Sequence, residues 1–388
     1  MVDGTGAQVV RTEADQLLIF AFRMTQNTLY VYRANGLPNA SADFTSQNIA
    51  VPAGAGSVTT LIAAYNGNGL VYVPVLTTSG RVYAYVFDIN ANAFQAPAEV
   101  ASDGAPLRGD TLYAGTTGLS GALDATGVLQ IAYWTNGDRI QHCALSYNTA
   151  SQTWSACSPT AVDADGSSNH PTLAVSPADN SLTVAWISEA GANYRILTRR
   201  RDTNGSWGAI EQASNVQVYH GRGSNGNEVN VDNGPQMVID AQGVRHLVYI
   251  QHFDATGDYG RIHYSVNAGG GWQSTALPNY SHTPNLAIGR DGQLLIVGHG
   301  WGKSLNADPP CLTGRNFCYM VRNGDGTWGP FRVIATPQTA TQSLDSNPSV
   351  KWSAVHWYRP ETVEFAFFSV DSTTGSYYNP TLWYGRLP

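Results

Sequence analysis

Long apolar runs are missing from this 388-residue chain. No stretch approaches the roughly 18 residues of a transmembrane helix, so no membrane span is expected. Charge is scarce too: only 13% of residues are Asp, Glu, Lys or Arg, the formal net charge is −7, and no Lys/Arg run occurs. A nucleic-acid binder needs a basic stripe or patch, and that class is set aside. No window shows sustained helical periodicity. Cysteine is limited to four residues, in two local pairs, Cys143 with Cys157 and Cys311 with Cys318, neither with C-x-x-C spacing. Zinc-finger chemistry is thereby disfavoured and disulfides are expected, which points to an oxidising compartment. Met1 is followed directly by "VDGTGAQ", which is no signal peptide, so the expectation is a secreted, extracellular or periplasmic protein whose leader is not part of this sequence.

What the chain has in abundance is turn and strand chemistry: 40 Gly, 20 Tyr and 10 Trp. Aromatic residues recur at Phe44, Phe94, Trp154, Trp207, Trp272 and Trp328, spaced roughly 50 to 65 residues apart, the signature of an array. Upstream of each lies one grammar. A first segment resembles "HPTLAVSPADN", a second "SLTVAWIS" or "VLQIAYWT", a third "GRIHYSVN", and a fourth follows a turn, as in "WGAIEQAS". Such short β-branched and aromatic runs bounded by Gly, Asp or Asn read as four-stranded antiparallel meanders. Second strands begin near Leu18, Leu70, Leu129, Leu182, His246, Leu294 and Val363. Seven units predict an all-β, seven-bladed β-propeller forming one domain over residues 1–388, because radial closure hides sheet edges. The last unit has three strands, ending at "TLWYGRLP", and the first residues, "MVDGTGAQVV", are expected to supply its fourth and close the ring.

The turns "RDTNGSW" (201–207), "SVNAGGGW" (265–272) and "VRNGDGTW" (321–328) resemble degenerate Asp boxes of sialidase-like (BNR) propellers, with Asp202 kept and Asn267 and Asn323 in place of the acid. The resemblance implies structural hairpins whose tryptophan packs between blades, and says little about activity.

In a propeller, the loops from fourth to first strands and from second to third strands share one face. Five histidines map there: His170, His220, His252, His282 and His299. His142, His263 and His356 read as strand residues, and His246 as a packing or hydrogen-bonding residue between blades. Tyr219, Arg222, Tyr259, Trp301 and Lys303 accompany the five, an earlier loop carries Arg108, Asp110 and Tyr113, and Arg23, Trp134 and Glu189 end second strands. Aromatics beside cations and imidazoles suit an acidic polysaccharide, because sugar faces stack on aromatic rings and carboxylates or sulfates pair with Arg. The loops differ from blade to blade, which favours one asymmetric site over a repeated lectin.

Several chemistries compete. A sialidase needs three clamping arginines and the chain lacks an early "RIP"-like motif. A glycosidase needs two carboxyls aimed at one bond; Asp110, Glu189, Glu228, Asp232, Asp254, Asp258 and Asp345 are available, but no spacing singles out a pair. A lyase must neutralise a uronate carboxylate and supply a base and an acid near neutral pH, roles that His and Tyr fill. The "NHP" and "YHGRG" loops on a propeller resemble, in outline, the ulvan lyase families. That resemblance implies a secreted lyase acting on a uronate polymer, with His220 or His252 as base, Tyr219 or Tyr259 as acid and Arg222 as carboxylate clamp. His170, His282, His299, Trp301, Lys303, Trp134, Glu189 and Arg23 would line the substrate path. Whether the chain is an enzyme stays open: a non-catalytic carbohydrate- or partner-binding propeller and a glycoside hydrolase are the alternatives. No cofactor is required. Structural zinc on His220, His252, His282 and His299, or calcium on Asp163, Asp165 and the "DATGD" turn (254–258), stays possible, although no zinc-protease or EF-hand motif exists. A monomer is expected.

Overall fold

The apolar segments marked as second strands are each pressed between two neighbouring sheets. In the computed structural model, Leu70–Thr77 and Leu182–Ser188 are buried at every position. A strand covered on both faces has no solvent side, so its sequence loses the polar/apolar alternation. The outer strand Thr45–Ala50, by contrast, is exposed along most of its length. The structure describes residues 5–23, 27–105, 118–164, 166–190, 194–218, 234–251, 261–280, 284–289, 292–299, 317–335, 342–343, 363–371 and 381–387. Among these, the secondary structure is all β apart from a short 3-10 turn at Ser41–Asp43.

Six antiparallel sheets, each built on a four-strand path and the second carrying two further short strands, Ala64–Tyr65 and Ala93–Phe94, follow one another along the chain. Their second strands are Gln16–Arg23, Leu70–Thr77, Leu129–Trp134, Leu182–Ser188, Arg245–Gln251 and Leu294–His299. In each sheet, strands pair in chain order from the innermost to the outermost. Inner strands of successive sheets lie side by side: Leu119–Leu123 touches Ser168–Val175, which touches Gln236–Ile239, which touches Asn285–Ile288. This is the blade arrangement of a β-propeller.

The count differs from the sequence expectation. Among the described residues the propeller has six four-stranded blades, not seven, and the strands beyond them, Gln342–Ser343, Val363–Asp371 and Thr381–Leu387, make a three-stranded sheet. Nor do the first residues complete that sheet. Thr5–Arg11 pairs residue for residue with Gln16–Arg23, as the inner strand of the first blade. The physical reason lies in residues 7–12, all of them buried; two-sided burial belongs to an inner strand, whereas the outer strand of a blade is solvated. Closure comes from side chains instead. Arg11 donates Nε to Glu364 at 2.9 Å and a second bond from its terminal nitrogens, with neither side chain exposed. The same guanidinium donates to the Gly36 carbonyl at 2.6 Å, and the Tyr384 hydroxyl donates to Glu364.

The recurring aromatics sit between sheets. Trp154 meets Tyr72 of the second blade edge-on at 4.9 Å, Trp207 meets His142 of the third at 5.4 Å, and Trp328 meets Tyr264 of the fifth at 5.2 Å. Trp272 donates its indole N–H to Thr198 of the fourth blade at 3.0 Å. Phe44 contacts Tyr384 of the three-stranded sheet. The turns before Trp207 and Trp328 are closed by Asx-type bonds, Asp202 accepting from Ser206 N and Asp325 from Thr327 N. These are side-chain-capped hairpins, and nothing further marks them as Asp boxes.

Cys143 and Cys157 are disulfide-bonded as expected, with Cα atoms 5.7 Å apart, tying the third strand of the third blade to the segment that leads into its outermost strand. Cys318 is also disulfide-bonded, while Cys311 lies outside the described residues. No helix among the described residues is long and apolar enough to cross a membrane.

Candidate functional site

Three of the assigned site residues have described side chains, Trp134, His170 and Glu189, and the fold brings all three together. Trp134 ends the second strand of the third blade, and Glu189 follows the second strand of the fourth. His170 stacks on Trp134 with ring centres 5.7 Å apart and planes at 29°. The Asn169 amide joins the remaining pair, donating Nδ2 to Glu189 Oε1 while its Oδ1 lies 2.7 Å from His170 Nδ1. Trp134 is held in turn by a 3.3 Å bond from its indole nitrogen to Asp138.

The contacts fix a tautomer. A carboxylate only accepts, so the Asn169 nitrogen must face Glu189 and its oxygen must face the ring. The neutral imidazole therefore carries its proton on Nδ1, and Nε2 is the basic nitrogen. The sequence places His170 in a loop, but it lies inside the inner strand Ser168–Val175 and is only 4% exposed. The strand register slips between Asn169 and Thr172, and His170 has φ of +51°. Such a bulge turns a side chain out of the strand's regular alternation. For a non-glycine residue the left-handed backbone costs about 1 kcal/mol, so the surrounding contacts must hold it.

One of those contacts is a glycine that the sequence does not single out. A Cβ on Gly234 would stand 2.5 Å from His170 Cβ and 3.0 Å from its carbonyl oxygen. Gly234→Ala is expected to destabilise the protein by about 1–3 kcal/mol through overpacking, read as a drop in urea midpoint; an unchanged midpoint would mean that the segment does not press on His170. Gly234 is the first described residue after the polar stretch 219–233, and it lies against His170.

The last described residue before that stretch is held as well. Val218 is buried, donates its N–H to Tyr194 O at 2.9 Å and forms an isolated bridge with Gln251. Gln251 is the last described residue before the 252–260 stretch, and its Oε1 holds His263 Nε2 at 2.9 Å. The two stretches that carry Tyr219, His220, Arg222, His252 and Tyr259 therefore leave from paired residues. Those five lie outside the described residues, as do His282, Trp301, Lys303, Arg108, Asp110 and Tyr113. Arg23 and His299 end their strands on the same face, and only their backbone is described.

Among the described residues no three His, Cys, Asp or Glu side chains gather to hold a metal. Asp163, a calcium candidate by sequence, is buried and committed to Arg139 Nε and to the Ile140 amide, both at 3.2 Å. Asp165, Asp254 and Asp258 lie outside the described residues.

Of the strand histidines, His356 lies outside the described residues, and the others are engaged within the blades. His142 and His263 each bond a second-strand glutamine, Gln130 at 2.8 Å and Gln251 at 2.9 Å. Burial pushes the pKa of each down to about 4, with Arg201 adding to the fall for His142 and Arg261 for His263. His246 bonds Tyr264 and Asp240 inside its own blade rather than bridging two blades.

No protein-family model matches the chain, and no curated protein matches it. Solved structures do. The polysaccharide lyase Uly1 superposes with a TM-score of 0.57 at 10% identity, covering 98% of this chain and 89% of that one. A PL25 ulvan lyase bound to GlcA(1-4)Rha3S matches with a TM-score of 0.50 at 10% identity, over 83% of this chain and 79% of that one. A fucose-recognising fungal lectin from Aleuria aurantia, a six-bladed propeller, matches with a TM-score of 0.47 at 10% identity, over 87% of this chain and 97% of that one. At such identities the likeness speaks for the propeller fold alone.

Proposed function

We propose that this chain is a secreted polysaccharide lyase that cuts an acidic polysaccharide beside a uronate residue by β-elimination. One observation carries the reading: Trp134, His170 and Glu189, from two blades, form one contact chain, with Gly234 packed against His170. Trp134 and His170 are themselves buried, so they hold the site from beneath, and the Glu189–Asn169 link orients the imidazole. A repeated lectin site would call for the same set in every blade, whereas among the described residues this one occurs between the third and fourth.

In the step itself, a base takes the uronate C5 proton, the electron pair left on C5 forms the C4–C5 double bond, and the bond from C4 to the glycosidic oxygen breaks. That oxygen then takes a proton from the acid. His220 or His252 is the proposed base, Tyr219 or Tyr259 the acid, and Arg222 the group that pairs the carboxylate and lowers the acidity barrier at C5. No metal or cofactor is assigned. Incubation with ulvan, alginate, glucuronan and pectin, followed by mass spectrometry, is expected to yield oligosaccharides one water lighter than hydrolysis products. Products at the hydrolytic mass would move the chain to the glycoside hydrolases, and bound but uncut polymer would make it a binding propeller.

A further inference from the structure

At the opposite end of the fold, turns of the fourth and fifth blades enclose a cleft of about 190 Å³. Pockets for drug-sized ligands span roughly 300–1,000 Å³, so this one suits a single small group or one sugar ring. Two guanidinium groups, Arg200 and Arg245, line it together with Asp179, Ser181 and Thr183. They are not equally satisfied. Arg200 donates Nε to Ser181 Oγ at 3.1 Å and pairs with Asp179. Burial works against the Asp179 carboxylate, but the Ser181 bonds and the Arg200 charge outweigh it and hold its pKa at about 2. That pair is complete in itself.

Arg245 is not. Its side chain is 12% exposed and lies over the Trp272 ring at 5.3 Å. Its terminal nitrogen stands 3.4 Å from Glu211, yet it makes no hydrogen bond among the described residues. Burial pushes its pKa down, Glu211 opposes that, and the neighbouring Arg200 adds to the fall. Thr183, fully buried at 0% exposure on the cleft wall, also leaves its hydroxyl without a hydrogen-bond partner among the described residues. On one small cleft, a guanidinium nitrogen paired with Glu211 only at 3.4 Å and a buried hydroxyl without a hydrogen-bond partner among the described residues both leave room for an acceptor, and unmet buried donors are costly.

We propose that this cleft is a second binding site, taking one oxyanion, the carboxylate or sulfate group of an acidic sugar, with Arg245 as its counter-ion and Thr183 as a hydroxyl donor. A charged acceptor supplies the bond that Arg245 lacks and offsets the repulsion between the two arginines. The site shares no residue with the Trp134–His170–Glu189 cluster, so its failure would leave the lyase reading untouched.

The Trp272 indole N–H, under Arg245 and bonded to Thr198, is the reporter. Its NMR signal, assigned by its loss in Trp272→Phe, is followed while the whole protein is titrated with glucuronate, inorganic sulfate or neutral glucose at constant ionic strength. Glucuronate and sulfate are expected to move it saturably and glucose to leave it in place. Tighter glucuronate binding would bring the sugar ring into the site, and equal binding would assign it to the oxyanion alone. Arg245→Met is expected to weaken binding roughly 10- to 100-fold. Thr183→Val, nearly the same shape, is expected to weaken it severalfold while leaving the blade folded. No shift with either anion, an equal shift with glucose, or binding unchanged in both variants would overturn the proposal.

Discussion

Replacing Glu364 by Gln is expected to lower the folding free energy by about 3–5 kcal/mol. The carboxylate sits at 0% exposure and accepts from Arg11 and from Tyr384, and it joins positions 353 residues apart in the chain. Removing its charge leaves the Arg11 guanidinium buried against a neutral amide, with Asp15, the Gly36 carbonyl and the Tyr384 hydroxyl still in place. The Arg11→Met/Glu364→Met double variant is expected to lose much less than two single losses added together, because a buried pair replaced by apolar groups gives up its attraction and its desolvation penalty at once. Urea unfolding of the two single variants and the double variant measures this. A single-variant loss below about 1 kcal/mol, the range of solvated pairs, would mean that the first and last sheets are not joined through this bond.

Acid is expected to destabilise the protein before its carboxylates titrate. His142 and His263 have pKa values pushed down to about 4 by burial, whereas an unfolded histidine titrates near 6.5. Both are neutral in the folded protein, so their contribution is complete above the unfolded value and is lost as pH falls toward the folded one. The window is therefore pH 6.5 down to 4, and the full loss is on the order of 3 kcal/mol for each histidine. Burial lowers the pKa of His246 as well, against the pull of Asp240, and it acts in the same direction. Urea midpoints measured between pH 7 and pH 5 should fall steadily, and the His142→Gln/His263→Gln double variant should show a flatter profile. A flat wild-type profile over that range would mean that these imidazoles accept protons in the folded state.

How much of this was legible in the sequence differs by physical scale. The strand grammar was readable because two-sided burial writes itself into runs such as "LVYVPVLT", and the spaced aromatics marked sheet-to-sheet packing. The count of four-stranded blades was not readable, because a second-strand motif says nothing about how many partners its neighbours find. Val363 begins such a run, yet its sheet has three strands among the described residues. Arg11 and Glu364 are unremarkable in isolation, and only their meeting makes them a clasp.

At the site, "NHP" drew attention to His170, but nothing in those letters announces a bulge or a left-handed φ. Asn169 and Gly234 went unnoticed for a related reason: their roles exist only across the contact they make with His170. A glycine following a glycine-rich polar stretch gives no sign of being the one that cannot be replaced. Asp163 read as an oxygen ligand in an acidic turn because its partner Arg139 is 24 residues away in the chain.

The central claim is that one face of this propeller cleaves an acidic polysaccharide by elimination. The most direct test follows ultraviolet absorbance of the unsaturated uronate together with new reducing ends while the protein acts on ulvan and on the other uronate polymers. The account predicts that both signals rise together, one double bond for each new end. Reducing ends without the absorbance, or polymer retained with neither signal, would contradict it.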